Sequence, residues 1–148
     1  MGSTQPHDHG STIIPCLRYR DSRAAIAWLQ QAFGFQVQAV YAEGDTVFHA
    51  QLTYGSGMIM LGSASSSGEW SKLAVLPDEI DGRQTQSACV IVADADAHHA
   101  RGLAAGARIV IALSDQDYGG RGYACADPEG YLWWFGSYDP WQAAGPAA

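Results

Sequence analysis

The pattern of apolar and polar residues along the first half of the chain predicts one helix among four strands. Apolar residues recur at helical spacing over residues 23–33, where Asp21 or Ser22 is a suitable N-cap and Gly34 a suitable stop. Extended or alternating patterns predict strands over residues 12–19, 35–42, 47–54 and 58–62. The predicted order of elements is therefore β-α-β-β-β.

The second half of the chain repeats this order. Residues 87–92 predict an apolar strand, and Asp94 or Asp96 caps a helix that runs to about residue 105, where Gly106 ends it. Further strands are predicted over residues 108–113, 122–126 and 131–138, and Asp127-Pro128-Glu129-Gly130 is a turn signal before the last. The chain thus contains an internal repeat. A ferredoxin-like β-α-β-β-α-β domain is the alternative, and it leaves two strands unexplained.

The length of 148 residues fits one domain with a sizeable core. We expect a flexible polar leader over residues 1–11, a single domain over residues 12–141 and a tail over residues 142–148. Within the domain, the two modules span about residues 12–63 and 86–138. The connector over residues 64–85 is loose in composition and holds Trp70, which predicts a link or a lid rather than core.

Composition and charge exclude several classes of function. The net charge of −7, with only eight Lys and Arg residues, argues against binding to nucleic acids or to anionic membranes. The apolar fraction of 47% argues against disorder. No apolar run approaches the roughly 20 residues of a membrane span, and the polar leader does not resemble a signal peptide. We therefore expect a cytoplasmic protein.

Three cysteines, at positions 16, 89 and 125, are too few for a disulfide scaffold and form no C-x-x-C pair. Each lies in an apolar stretch, where a free cysteine usually behaves as a small buried hydrophobic residue. This favours buried, structural thiols in a reducing compartment.

Three stretches of the sequence carry a resemblance to a known family. They are Pro-Cys-Leu-Arg-Tyr-Arg-Asp at residues 15–21, His-Ala-Gln-Leu at residues 49–52 before the strand at 58–62, and Asp-Tyr-Gly-Gly-Arg at 117–121 followed by residues 127–133. Over residues 12–141 the chain resembles the vicinal oxygen chelate superfamily, which includes glyoxalase I, extradiol dioxygenases, fosfomycin-resistance enzymes and bleomycin-resistance proteins. The resemblance implies an α+β fold in which two βαβββ modules form an open, U-shaped mixed β-sheet with flanking helices.

The resemblance also locates the positions at which metal-dependent members of that superfamily carry His, Gln or Glu ligands. Transferred onto this sequence, the four positions fall on Ile14, Met60, Ala88 and Trp134. These side chains do not supply the nitrogen and oxygen donors that a divalent ion needs, and a shift by one residue brings in no His or carboxylate. We therefore expect no metal and no cofactor, as in the bleomycin-resistance branch.

Alternation along the strands then selects the side chains that would face the cavity. Arg18 and Cys16 share a face with Ile14, and His49 and Gln51 lie opposite the core positions Ala50 and Leu52. The candidate ligand-binding residues are Ile14, Cys16, His49, Gln51, Met58, Met60, Trp70, Val90, Tyr118, Arg121 and Trp134.

For several residues the sequence alone allows two interpretations. Trp134 contacts a ligand or fills the pocket, and Met58 and Met60 are contact residues or core. Arg121 binds an anionic group of the ligand or pairs with Asp127. His98 and His99 are interpreted as solvated surface of the second helix, and residues 138–141 as a docked segment that could close a dimer.

An apolar, aromatic cavity without metal ligands favours a non-catalytic protein that binds and sequesters a small hydrophobic or aromatic compound, as a homodimer. One alternative is a metal-dependent enzyme of the glyoxalase or dioxygenase type. The other is a metal-free catalyst with His49 as general base, because His49 is the only histidine in a predicted strand. No other catalytic residue is predicted.

Overall fold

A computed structural model describes residues 10–65 and 68–142 of the chain. The chain divides into two compact units, residues 1–81 and 82–148, and each unit holds one module. Most of the predicted leader and tail lies outside the described residues. Among the described residues, no helix has the length and hydropathy needed to cross a bilayer.

The first unit has the predicted β-α-β-β-β order. Its elements are β1 (Cys16–Tyr19), α1 (Ser22–Phe33), β2 (Gln36–Glu43), β3 (Thr46–Tyr54) and β4 (Gly57–Ser63). They form a four-stranded mixed sheet in the order β1-β4-β3-β2, in which β1 runs parallel to β4 and the other pairs are antiparallel. The prediction for this half of the chain is confirmed in element type and order.

The first strand is shorter than predicted, because it begins at Cys16 rather than at residue 12. Pro15 has no backbone N–H to donate to a ladder. Its carbonyl still accepts a hydrogen bond from the Met60 amide at 3.0 Å, so the preceding segment approaches β4 without pairing. Ile14, a candidate site residue, therefore lies before the strand.

Capping residues fix the two ends of helix α1, and an apolar face packs it on the sheet. The Asp21 side chain caps the first turn by accepting a hydrogen bond from the Ala24 amide at 3.0 Å. Gly34, with a φ of 87°, ends the helix in the left-handed conformation. Between them the buried face, which includes Leu29 and Phe33, covers one side of the sheet.

The second unit repeats the architecture. Its elements are β5 (Ala88–Ile91), α2 (Ala95–Ala104), β6 (Arg108–Asp115), β7 (Arg121–Ala126) and β8 (Leu132–Gly136). The sheet order is β5-β8-β7-β6, again with only the first pair parallel. Both units therefore have the α+β architecture predicted from the sequence.

The core of the second unit lies between α2 and one face of its sheet. Trp133 and Phe135 from β8 and Tyr123 from β7 are almost fully buried there. His98 joins them, since its Nδ1 lies 2.6 Å from the Tyr123 hydroxyl and its ring 4.2 Å from the ring of Phe135. The prediction that His98 is solvated surface is wrong. Ala95, His98 and Gly102 share the helix face that packs on the sheet.

His99, the second histidine of α2, is half-buried and its ring meets Tyr123 edge to face, with centroids 4.9 Å apart. It is therefore only partly solvated.

The connector belongs to the first unit up to Asp81. Its described residues form short 3-10 turns at Trp70–Lys72 and Pro77–Ile80, and Leu76 and Pro77 are buried. Arg20, just after β1, holds the second turn through a paired contact with the Asp78 carboxylate at 2.8 and 2.9 Å. That guanidinium lowers the pKa of Asp78, although both side chains are exposed and the pair stabilises the unit only modestly.

Candidate functional site

The second unit contains a cavity of about 430 Å³, on the sheet face opposite α2. This volume is in the range of small-molecule pockets. Its aromatic and apolar lining comes from Cys89, Ile91, Tyr118, Trp134, Tyr138 and Trp141. Gln116 and Arg121 also border it. The lining residues that the structure describes all lie between residues 89 and 141, within the second unit.

The indole of Trp134 is positioned by two glycines. A Cβ added at Gly122 would lie 2.5 Å from the Cζ2 atom of Trp134, and one added at Gly136 would lie 2.9 Å from its Nε1 atom. Real Cβ atoms essentially never make contacts this short, so the indole occupies the space that any larger residue would fill. Gly122 and Gly136 are also paired between β7 and β8, and together they form a flat seat for the ring.

A tight loop positions the tyrosines that line the cavity. The backbone N–H of Gln116 donates to the backbone carbonyl of Gly120 at 2.8 Å, and Gly120 has a φ of 72°. A Cβ at Gly120 would lie 2.7 Å from the backbone nitrogen of Tyr138, so only glycine fits. The loop thereby brings Tyr118 against Tyr138 in an edge-to-face contact with centroids 5.1 Å apart.

Arg121 borders the cavity, but its side chain lies on the α2-covered face of the sheet, where two carboxylates hold the guanidinium. Its Nε and Nη2 atoms donate to Asp96 at 3.1 and 3.3 Å, and its Nη1 atom donates to Asp115 at 2.8 Å. The alternative prediction, that Arg121 pairs with Asp127, is wrong. Asp127 instead accepts hydrogen bonds from the backbone of its own turn and from the Trp133 indole.

Three of the predicted site residues come together in the cavity, namely Tyr118, Arg121 and Trp134. Val90 does not, because it pairs with buried Phe135 and shares the helix-covered face with it. The face predicted for Ala88 and Val90 is therefore wrong by one residue. Cys89 and Ile91 line the cavity in their place, and Cys89 pairs directly with Trp134.

The remaining candidates lie in the first unit, most of them on one face of its sheet. Met60 pairs with both Cys16 and Gln51, and Met58 lies two residues before it. The opposite face carries Ala50, Leu52, Ile59 and Leu61, all buried. Trp70 lies apart in the connector with an exposed fraction of 70%.

His49 shares the same open face of the first sheet. Its Nε2 atom lies 2.9 Å from the amide oxygen of Gln51, which can only accept, so Nε2 carries the proton. Gln51 in turn donates to Gln38, and the ring of Tyr41 stacks on the imidazole with centroids 6.1 Å apart. Neutral amides and a ring therefore orient His49, rather than the carboxylate that commonly supports a catalytic histidine.

The cysteines differ from the prediction that all three are buried. Only Cys125 is buried, whereas Cys16 and Cys89 are exposed. Desolvation by the surrounding residues still raises the pKa of the Cys89 thiol. For Cys125, burial and the nearby charge of Asp127 raise the pKa to about 12.

We expect the Cys125 thiol to make stability fall at alkaline pH. In the unfolded chain a thiol ionises near its ordinary pKa of 9.0, whereas in the folded unit Cys125 stays protonated to about 12. Unfolding then releases a proton between these values, so the free energy of unfolding should drop by about 1.4 kcal/mol per pH unit there. Urea titrations from pH 8 upward measure this slope, and C125A should flatten it. An unchanged slope in C125A would contradict the assignment.

The sequence also matches a family model. The model of the Glyoxalase/Bleomycin resistance protein/Dioxygenase superfamily covers residues 11–135. The chain belongs to this superfamily. No curated protein gives a significant match.

Solved structures of the superfamily resemble the chain over most of its length. TioX from Micromonospora sp. ML1 shares 34% identity over 86% of this chain and 98% of TioX, with a TM-score of 0.65. A bleomycin-binding protein complexed with bleomycin shares 20% identity over 87% of this chain and 99% of its own, with a TM-score of 0.59. A mutant of the fosfomycin resistance protein FosX from Listeria monocytogenes, complexed with Mn(II), shares 15% identity over 86% and 89%, with a TM-score of 0.61. The last two likenesses support the fold alone.

The side chains at the ligand positions that the resemblance transfers do not supply the donors that a divalent ion needs. Ile14, Met60, Ala88 and Trp134 stand at the four transferred ligand positions. If Cys89, which faces the cavity, is taken in place of Ala88 as the residue at the third position, the set gains one thiol and no other donor. Across residues 10–65 and 68–142, no three His, Cys, Asp or Glu side chains are grouped as a metal ion would require.

Proposed function

We propose that this chain is a non-catalytic binding protein that holds an aromatic or hydrophobic small molecule, without a metal, in the cavity of its second unit. The observation that carries the proposal is the Trp134 indole, seated on Gly122 and Gly136 at the base of a cavity of about 430 Å³. A flat ligand ring can stack on such a surface while Tyr118 and Tyr138 meet its edges.

The fixed indole makes this site effective for binding. An aromatic pair contributes about 0.5–1.5 kcal/mol beyond the area that it buries. Because the glycine seat already restricts the indole, little side-chain entropy is lost when a ligand arrives. A preformed aromatic surface of this kind therefore favours the binding of planar aromatic ligands.

The same cavity is poorly equipped for acid–base or nucleophilic catalysis. Among the described residues that line it, none is His, Asp or Glu. The raised pKa of Cys89 keeps its thiol protonated at neutral pH, and the thiolate is the nucleophilic form. Arg121 is occupied by its two ion pairs. These features favour binding over chemistry.

Trp134 is expected to dominate binding. A panel of planar compounds (naphthalene, quinoline and acridine) screened by tryptophan fluorescence should yield binders, and calorimetry then gives their Kd. W134A should weaken the best binder about tenfold, since stacking and buried area are both lost. The matched control is W70A, which removes an exposed indole in the first unit. Equal losses in both variants, or binding that W134A leaves intact, would refute the proposal.

We also propose that the protein is a homodimer. Each sheet ends in an edge strand that exposes apolar side chains, Val37, Val40 and Tyr41 on β2 and Val110 and Ile111 on β6. Such edges are usually covered in stable proteins. Sedimentation equilibrium should give twice the chain mass of 15.8 kDa. A mass that stays at the single-chain value at micromolar concentration would exclude the dimer.

A further inference from the structure

Trp141 lines the cavity from an exposed position. It borders the same cavity of about 430 Å³ as Trp134, yet 90% of its surface is accessible to solvent. Tryptophan is on average a highly buried residue, because its indole carries a large apolar area. The free protein therefore presents an uncovered indole at its cavity.

The segment that follows β8 holds Trp141 in this place. The ring of Tyr138 packs edge to face on Tyr118, with centroids 5.1 Å apart. Asp139 then forms a turn, in which its side chain accepts a hydrogen bond from the Trp141 backbone N–H at 2.9 Å. The sequence predicts a docked segment over residues 138–141, and Tyr138 is docked in this way, whereas the Trp141 indole is not.

The two indoles of the cavity differ in their support. Trp134 lies on the glycine seat, so the sheet covers one face of its ring and the other face is open to the cavity. Trp141 lies at the rim, since a residue at the base could not be so exposed. In the part of the chain that the structure describes, neither indole forms a ring contact with the other or with a third aromatic ring. The cavity thus separates a fixed indole at its base from an exposed indole at its rim.

We propose that Trp141 is a second aromatic wall of the site, so that a bound ring lies between the indoles of Trp134 and Trp141. This inference rests on the proposed binding function and narrows its ligands to molecules that are flat on both faces, such as fused aromatic rings. A second stacking partner adds to the affinity, and ordering an indole costs little entropy because it has only two side-chain torsions. A puckered or branched hydrophobic molecule can approach one indole closely but not both.

Replacing Trp141 should weaken the binding of a flat probe according to what remains of the ring. With naphthalene as the probe, W141A should raise Kd about tenfold, because a stacking contact and its buried area are lost. W141F keeps an aromatic wall and should stay within about threefold of the wild type. The indole is exposed, so neither change should disturb the fold. The matched control W70A removes an exposed indole of the first unit and should leave Kd unchanged.

A probe that is flat over only part of its surface tests the class of ligand. Tetralin has the carbon skeleton of naphthalene, but one of its rings is saturated and puckered. Equilibrium dialysis should show that the wild type binds naphthalene about fivefold more tightly than tetralin, and that W141A reduces this preference to about twofold. If W141A weakens both probes equally, Trp141 contributes only buried area, and the restriction to flat ligands is overturned.

Fluorine NMR of the full chain labelled with 5-fluorotryptophan reports on each indole directly. Single Phe variants assign the resonances of Trp70, Trp134 and Trp141. On saturation with naphthalene, the ring current of the probe should shift the signals of Trp134 and Trp141, whereas the signal of Trp70 should stay in place. A shift at Trp134 alone would show that the probe does not reach the second wall.

The outcomes separate this inference from the function on which it rests. If W134A weakens naphthalene binding but W141A does not, the second wall is overturned and the binding function stands. If W141A lowers the affinity only where sedimentation equilibrium shows dissociation to single chains, Trp141 acts by covering a second copy of the chain, and the assignment is wrong. If no planar compound of the panel binds to the wild type, the proposed function fails and the inference with it.

Discussion

Replacing Asp127 by alanine should reduce the free energy of unfolding of the second unit by about 3 kcal/mol. Asp127 is 5% exposed, and its carboxylate accepts hydrogen bonds from two backbone amides and an indole. Its Oδ1 atom receives the amides of Glu129 and Tyr131 at 3.1 and 3.0 Å, and its Oδ2 atom receives the Trp133 indole N–H at 3.1 Å. D127A would leave the buried indole donor and two turn amides without this acceptor.

Urea unfolding followed by far-UV circular dichroism measures this loss. D127N retains one oxygen for the turn amides and places an NH2 group against the Trp133 indole, so it should lose an intermediate amount. D45A, which removes an exposed carboxylate in the first unit, should stay within about 0.5 kcal/mol of the wild type. A loss in D127A as small as that in D45A would mean that water replaces the carboxylate at no cost.

Asp127 also shows why local features were predictable from the sequence. The turn Asp127-Pro128-Glu129-Gly130 and the caps Asp21 and Asp94 involve contacts between residues at most four positions apart, apart from the bond to Trp133. Such contacts depend on side-chain chemistry and backbone freedom that the sequence states directly. The order of the helices and strands in both units follows from them together with apolar periodicity.

The face of β5 was not predictable in this way. Residues 87–92 form an almost continuous apolar run, so period-2 alternation gives no preference for either face. The register is set by the ladder with β8, which pairs Cys89 with Trp134 and Val90 with Phe135. The prediction of Val90 as a cavity residue failed for this reason.

The partners of His98 and Arg121 were missed because they are distant in the sequence. His98 bonds to Tyr123, and Arg121 bonds to Asp96, each across 25 positions. In helix α2 the many alanines leave the buried face poorly marked, so two adjacent histidines read as surface. The ion pairs of Arg121 therefore depend on tertiary structure and could not be derived from the motif Asp-Tyr-Gly-Gly-Arg alone.

The glycines of β7 and β8 were also overlooked, although they are visible in the sequence. Gly122 lies in β7 and Gly136 in β8. A glycine in a strand weakens the sheet, because it has no side chain to pack. Glycine inside a strand often marks a close approach by another group, and here that group is the Trp134 indole. The two positions thus connect the strand sequence to the shape of the cavity.

Replacing Gly122 by valine should abolish ligand binding more completely than removal of Trp134 itself. The new side chain would occupy the position of the indole ring edge, and the displaced indole would then move into the cavity. The ligand loses its stacking surface and also its space, so we expect Kd to rise about a hundredfold, a loss of about 2.7 kcal/mol. Calorimetry with the best planar binder measures the change.

A double-mutant cycle separates displacement of the indole from general damage to the fold. G122A should destabilise the second unit by about 1–3 kcal/mol, because the Cβ would crowd both Trp134 and the carbonyl of Phe135. In the W134A background the ring is gone, so the cost of G122A should be clearly smaller. The matched control is G57A in the first unit, where the nearest atom would be 3.4 Å away. Additive costs in the cycle would show that Gly122 does not act through Trp134, and the glycine seat would then lose its role in binding.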